Sequence, residues 1–586
     1  MKPSHTALAA CVVALVASCG APIGARRVGY EEVYRELTRN ALDGSGPSAR
    51  TQSVLHVFQL EDRYFRDKQG ALRELFELSK IHHQPILTFA LAELSYEAGR
   101  RSGSRDDYFA AALFASEFLF PRDEHDPPNP FGREFRIACD LYNRSLALAL
   151  TADDGHVELE ERTWNLFGKP VQVRFDRSRF LWPQEAFRDF VPADVHLTRG
   201  LSFRVRDDGL GVPLVGLPVE GAKFEMLLFR NLHVPATAFL LLEDDLHGEE
   251  VSAVLELVSP SGRGETMIEG VPAPLEVDHS TPLALSLETS RLWGSEIVGF
   301  FMGEEGAAET RLSFLQPYVP GRVPVVFVHG TASSAARWGE LLNGLLADKE
   351  LRSRVQFLFF SYPTGNPVLY SAAHLREALV QLLETLDPEG TDPALRDMVL
   401  VGHSQGGLLA RLMVVDSLDE LEPPAERVEE AQLTAEQHAE LDRYLSFDAL
   451  PFVERVVFLA STWLSSLFGA MIEVAGEITG MFASGWNRLF PEAVAPPTSI
   501  ASMAKGSYLL ERLERLPFRA GVPLHSVIAV WGSGPVEECS DGVVEYTSAH
   551  LDQAESEVVV RSTHSMQGHP DTVLELNRIL RAHVGL

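Results

Sequence analysis

Three residues of this chain are of types that together could activate a hydroxyl group: Ser404, Asp541 and His564. A serine hydroxyl is a poor nucleophile at its ordinary pKa. It attacks an acyl carbon when an imidazole takes its proton and a carboxylate holds that imidazole and stabilises the cation. Ser404 lies in Met398-Val399-Leu400-Val401-Gly402-His403-Ser404-Gln405-Gly406-Gly407-Leu408-Leu409-Ala410-Arg411. A short apolar run there predicts a buried strand, Gly402 to Gly406 a sharp turn, and the amphipathic remainder a helix. Side chains at the positions flanking such a turn would crowd it, which explains the glycines. The helix N-terminus would face the serine, where aligned N–H groups favour developing negative charge. Because a short Gly-x-Ser-x-Gly pattern also arises by chance, the case depends on its strand and helix and on an acid and a histidine downstream.

Asp541 follows the strand expected to end near Trp531, in Ser540-Asp541-Gly542-Val543-Val544-Glu545-Tyr546. Glu538, Glu545 and Asp552 are the alternative acids, and the Asp-Gly turn favours Asp541 as the orienting carboxylate. His564, in Ser562-Thr563-His564-Ser565, sits just past the last expected strand and is the candidate base. Its alternative, His569, precedes Pro570 and reads as a residue at a helix start. His403 and His329 read as packing or orienting groups, and His525 as a core or face residue. The backbone N–H of Gln405 and that of Thr331, in His329-Gly330-Thr331, are the candidate donors to an oxyanion.

These residues need elements to position them. From Pro320 onward, strands and helices alternate, which predicts a mostly parallel sheet with helices on both faces. Strands are expected at Val323–Val328, Val355–Phe360, the run before Gly402, Arg455–Ala460, Val522–Val530 and Glu557–Val560. Helices are expected at Tyr370–Leu386 and Val573–Val584. A charged insertion, about 417–452, interrupts the alternation. The apolar stretch Trp463 to Ile472, continuing through Gly480-Met481-Phe482, reads equally as a core helix or as a lid over Ser404.

Phe327-Val328-His329-Gly330-Thr331, Gly402-His403-Ser404-Gln405-Gly406-Gly407, Ser540-Asp541-Gly542-Val543-Val544 and Thr563-His564-Ser565 together resemble the α/β-hydrolase superfamily on its lipase and esterase side. The resemblance covers residues from about Pro320, and the order Ser…Asp…His is that of the superfamily. It implies an α/β fold and a serine hydrolase of carboxylic esters, acting through an acyl-enzyme on a hydrophobic or lipid substrate. No cofactor and no metal are expected. An acyltransferase on the same three residues, or a surface interaction protein with a vestigial hydrolase domain, are the competing readings. Relatives commonly carry Thr-Pro-His-Arg-Gly-Ser after the strand that follows the serine turn, whereas Ala460-Ser461-Thr462-Trp463-Leu464-Ser465-Ser466 stands here. That difference bears on pocket shape.

At 586 residues the chain is expected to hold more than one domain. Residues 30–154 read as a helical module, with apolar residues three and four apart in Ile86–Tyr96 and Tyr108–Phe120 and breakers from Gly99 to Ser104. Residues 155–318 read as a β-rich, sandwich-like module. It has strands at Val171–Phe175, Leu201–Val205 and Ala253–Val258, and an apolar helix from Thr281 to Gly303. Residues 319–586 form the expected catalytic domain. The net charge of -31 and pI near 5.0 argue against a nucleic-acid partner, since a phosphate backbone would be repelled.

Residues 1–18 fit a lipoprotein signal peptide, with Lys2 ahead of the short apolar run Ala7–Val16, and 19–29 a linker. Val16-Ala17-Ser18-Cys19-Gly20 resembles the lipobox of bacterial lipoproteins, with Cys19 the lipidated residue. The resemblance implies a bacterial cell-envelope location, on the outer membrane and facing the periplasm or exterior. Cys139 and Cys539 are too few and too far apart to form a disulfide framework.

Overall fold

A computed structural model describes residues 24–122, 127–219, 232–260, 265–268, 270–289, 310–331, 333, 335–418, 420–421, 434–461 and 508–586. The chain divides into two compact units. One reaches Ser145 and takes in Asn165–Lys169; the other holds Leu146–Trp164 and Pro170–Leu586.

The first unit is built from α1 (Tyr30–Thr38), α2 (Ala49–Val57), α3 (Glu61–Arg66), α4 (Lys68–His82), α5 (Pro85–Ser102), α6 (Arg105–Leu119) and most of α7 (Arg133–Leu150). Helix α5 runs through Gly99, where a break was expected, and stops at Gly103 with φ +74°. The reason is packing: a Cβ at Gly99 would lie 2.9 Å from the Tyr108 ring, so this glycine marks a close helix approach. Glu93, fully buried, accepts hydrogen bonds from the Ala41 and Ser48 amides and from the Ser48 and Thr51 hydroxyls, tying the chain ahead of α2 to α5.

The β-rich part of the chain, which apart from Asn165–Lys169 lies in the second unit, holds β1 (Arg162–Leu166), β2 (Lys169–Asp176), β3 (Phe187–Pro192), β4 (Arg206–Asp207), β5 (Val212–Pro218), β6 (Val234–Leu242), β7 (Ser252–Val258), β8 (Glu265–Ile268), β9 (Val271–Pro274) and β10 (Val277–Asp278). Among the described residues the strands form a six-stranded sheet, ordered β1-β2-β7-β6-β5-β3, and two ribbons, β10-β4 and β8-β9, rather than the expected sandwich. Leu201–Val205 is not a strand. The Phe203 carbonyl accepts from the Asn343 amide and the Val205 amide donates to the Ser280 hydroxyl, so side chains take bonds a sheet ladder would have used. The apolar helix α8 spans Ser280–Thr289; the rest of its expected length, with Trp293 and Phe300-Phe301, lies outside the described residues.

Seven strands follow: β11 (Arg311–Phe314), β12 (Val323–Val328), β13 (Val355–Ser361), β14 (Met398–His403), β15 (Val453–Leu459), β16 (Leu524–Val530) and β17 (Ser556–Arg561). They form one sheet in the order β11-β13-β12-β14-β15-β16-β17, parallel except for the edge strand β11. Every residue of β12, β14 and β16 is buried, as strands covered on both faces require. Each buried aliphatic or aromatic side chain there contributes roughly 1.5–3 kcal/mol. The helices are α9 (Gly339–Leu346), α10 (Lys349–Arg354), α11 (Val368–Leu386), α12 (Gln405–Leu412), α13 (Ala435–Leu445), α14 (Tyr508–Leu513), α15 (Tyr546–Ala549) and α16 (Pro570–His583). Helix α13 occupies the expected insertion. The apolar stretch 463–482 lies outside the described residues, as do Cys19 and the leader.

From β12 the chain moves to one side, to β13; from β14 it moves to the other, to β15. The carboxyl ends of β12 and β14 therefore flank the point where strand order reverses, the position at which open α/β sheets leave a crevice. Register aligns those ends, with Val328 beside Gly402 and His403 beside Leu459.

Candidate active site

Ser404 stands between β14 and α12 with φ +54° and ψ -123°, a conformation that costs a non-glycine residue of order 1–3 kcal/mol. Its neighbours hold it there. The Ser404 amide donates to the Leu459 carbonyl and the Gly407 amide to the Ser404 carbonyl, both at 2.9 Å. Glycine is needed on each side because backbone approaches closely. A Cβ on Gly402 would lie 2.5 Å from the Gly406 carbonyl oxygen, and one on Gly406 2.1 Å from that of Val328. Ser461 occupies the next gap, 2.0 Å from where a Gly407 Cβ would be. So the first residues of the unusual segment after β15 pack under the serine turn; Thr462 and the residues after it, to 507, lie outside the described residues.

Asp541 and His564 come to Ser404 from loops after the last two strands. His564 Nε2 is 2.9 Å from Ser404 Oγ, and its Nδ1 is 2.7 Å from Asp541 Oδ2. The other carboxylate oxygen of Asp541 accepts from the Val543 and Val544 amides at 2.7 Å, the turn chemistry expected of Asp-Gly. With Nδ1–H donating to Asp541, Nε2 of the neutral ring carries the lone pair that faces the serine hydroxyl. Asp541 and Ser404 are buried while the His564 side chain keeps 19% exposure, so the ring is the part of the line open to a ligand.

The alternative residues lie elsewhere. Asp552 pairs with His550. His569 caps α16, its Nδ1 accepting from the Asp571 amide. His525 lies in β16 between Arg455 and Ser556, its pKa pushed down to about 4 by burial and by the Arg455 charge.

Thr331 and Gln405 are brought together. The Thr331 hydroxyl donates to Gln405 Oε1 at 2.6 Å, joining the loop after β12 to the first residue of α12. First-turn amides of a helix have no intrahelical partner, so the Gln405 N–H is available at the serine turn. Gly330 permits the approach: a Cβ there would lie 2.7 Å from that of Ser404.

Two residues bind the loops together in ways the sequence did not specify. His403 Nε2 donates to the His564 carbonyl at 2.9 Å, linking the serine turn to the histidine loop. Burial, then the neighbouring His564, hold His403 neutral with its pKa pushed down to about 3. The Tyr362 hydroxyl donates to the His329 carbonyl at 2.8 Å, and the Tyr362 amide reaches His329 Nε2. A histidine directly before the serine was a visible signal; a tyrosine in a Pro-Gly loop was not.

The chain was compared with known proteins. Residues 325–576 match the Alpha/beta hydrolase family. No curated protein matches the chain. Among solved structures, the mature lipase BlEst2 of Bacillus licheniformis is similar at 15% identity and a TM-score of 0.29, covering 46% of this chain and 97% of that one. The butyrate-bound esterase Est2 of Thermogutta terrifontis is similar at 15% identity and 0.28, covering 49% and 93%. A lipase-esterase related protein from Clostridium acetobutylicum gives 10% and 0.26, covering 47% and 99%. By the family match and by the sheet described above, the C-terminal part of this chain is a member of the α/β-hydrolase superfamily.

Proposed function

We propose that this protein is a serine hydrolase of carboxylic esters. The observation that carries the reading is the continuous line from Ser404 Oγ through His564 to Asp541, with Ser404 held in a strained turn at a helix N-terminus. His564 takes the Ser404 proton as Oγ attacks the acyl carbon, and Asp541 holds the imidazolium. The amides of Gln405 and Thr331 receive the oxyanion. Collapse expels the alcohol, which takes the Nε2 proton and leaves an acyl-Ser404. Water, deprotonated by His564, then releases the acid.

A hydrophobic acyl ester is the substrate class proposed, since ligand pockets in general are mostly apolar. Attachment to a membrane through an acylated Cys19 belongs to the same proposal and is supported by the leader pattern. Cys19→Ser is expected to move the protein from the membrane to the soluble fraction; unchanged membrane association would exclude that anchor.

The deciding experiment is labelling with a fluorophosphonate probe, with detergent present to open any cover over the site. Wild type is expected to label and Ser404→Ala not to, with equal folding by circular dichroism. Labelling retained in the mutant, or absent from folded wild type in detergent, overturns the proposal.

A further inference from the structure

Arg322, the residue before β12, carries a charge that the described residues leave unanswered. It is only 6% exposed, and among the described residues no carboxylate and no hydrogen-bond acceptor meets its guanidinium. Burial, then the charge of Arg352, pushes its pKa down, yet a guanidinium stays protonated in proteins. A buried cation without a counter-charge is costly.

Arg322 lines a cavity of about 70 Å³ together with Arg352, His279, Ser259, Gln316 and Trp182. No aspartate or glutamate is among the described residues that line it, in a chain whose net charge is -31. Arg352 has its own carboxylate: Asp207, outside the lining, accepts from Arg352 and, at 3.2 Å, from His279 Nε2. A second donor is uncommitted, since Gln316 Nε2 is buried with no acceptor among the described residues. The Ser259 hydroxyl oxygen accepts from the Leu181 amide, which leaves its proton for another acceptor.

The two arginines reach the cavity from the amino ends of neighbouring parallel strands. Arg322 precedes β12, Arg352 lies in α10 just before β13, and Val323 is in register with Val355. Ser404 is at the carboxyl ends of the same sheet, where Val328 stands beside Gly402. The length of β12, at about 3.3 Å per residue, separates Arg322 from the serine turn by roughly 20 Å.

We propose that this cavity binds a phosphate-type oxyanion, held by the Arg322 guanidinium with Gln316 and Ser259 as further donors. The class follows from the donors. An arginine fork matches paired oxygens, and a second guanidinium beside it favours a doubly charged ion over a singly charged carboxylate. The volume admits several water-sized groups, enough for a small tetrahedral ion. Apolar neighbours such as Trp182 and Leu283 lower the local dielectric and strengthen each bond. Ser259 and His279 come from the β-rich part of the chain and Arg322 and Arg352 from the hydrolase domain, so the ion clamps one to the other. The inference is independent of the ester-hydrolase reading.

The test is isothermal titration calorimetry of the full chain with inorganic phosphate, at an ionic strength held constant with sodium chloride. Wild type is expected to bind one phosphate with a Kd below about 1 mM. Arg322→Met keeps the length and removes the charge. It is expected to weaken binding at least tenfold and, in urea without phosphate, to be no less stable than wild type, because the charge it removes has no partner to lose. Gln316→Leu is expected to weaken binding about threefold to tenfold, as loss of one hydrogen bond to a charged group does. Glycerol phosphate and acetate identify the source. Phosphate binding tighter than glycerol phosphate assigns a free ion, and the reverse assigns the head of a phosphate ester; both support the site. A wild-type Kd above that limit, acetate binding as tightly as phosphate, affinity unchanged in Arg322→Met, or a less stable Arg322→Met overturns the inference. Should Arg322→Met fail to fold, affinity unchanged in Gln316→Leu overturns it.

Discussion

His564 Nδ1 stands 2.7 Å from Asp541 Oδ2, while the same carboxylate is fixed by two amides of its own turn. The carboxylate is thus oriented before the imidazole meets it, and the ring has one favoured tautomer. Asp541→Asn keeps the shape but offers an amide in place of an anion, which favours the wrong tautomer and leaves the imidazolium unstabilised. The expected loss is about 10⁴-fold in kcat on an ester substrate, with little change in folding. A loss below tenfold would assign the orienting role to another acid.

The hydrogen bond from Thr331 to Gln405 joins the two proposed oxyanion donors. Thr331→Val removes the hydroxyl without removing either backbone N–H. Outright loss of one such donor costs about 10²–10³ in kcat. Misplacing one should cost less, about tenfold, with KM nearly unchanged, as steady-state kinetics would reveal.

Asn343 of α9 is fully buried between segments that are far apart in sequence. Its oxygen accepts from Ser280 Oγ at 2.6 Å and its nitrogen donates to the Phe203 carbonyl at 3.0 Å. Asn343→Leu leaves both partners without it. Each buried group left unpaired costs about 1–3 kcal/mol. Urea unfolding should show a loss of roughly 2–6 kcal/mol, the summed cost of the two partners.

His403 carries a pH dependence of known sign. Its folded pKa lies near 3, below the value of about 6.5 expected in the unfolded chain, so the unfolded state binds more protons between those limits. The stability it contributes is complete above pH 6.5 and is lost as pH falls toward 3, at up to about 1.4 kcal/mol per unit. His403→Gln should flatten the acid limb of a denaturant-stability profile. An unaltered limb would place the acid sensitivity elsewhere.

Gly406 faces the Val328 carbonyl oxygen at a distance no Cβ can occupy. The obstructing atom is backbone in a central strand and cannot swing away. Gly406→Ala should cost more than about 3 kcal/mol, beyond the usual range for overpacking, and should abolish fluorophosphonate labelling wherever the protein still folds.

The sequence was legible where local pattern and tertiary demand coincide. The buried parallel strands read as apolar runs because both their faces are covered, and the serine turn read as Gly-x-Ser-x-Gly because backbone crowding forbids side chains there. Elsewhere, partners distant in the chain decided. Leu201–Val205 has the alternation of a strand, yet Asn343 and Ser280 take its backbone groups. Gly99 reads as a helix breaker, yet it lies inside α5 to admit Tyr108.

By itself the sequence determined the residue types able to run the chemistry, their order along the chain and the α/β pattern that could present them. Only the tertiary structure decided that Ser404, His564 and Asp541 lie within hydrogen-bonding reach, and that His403 closes the serine turn onto the histidine loop. The physical reason is range. Periodicity and turn chemistry act over a few residues, whereas each of these contacts spans a sequence separation that only packing of the whole unit can close.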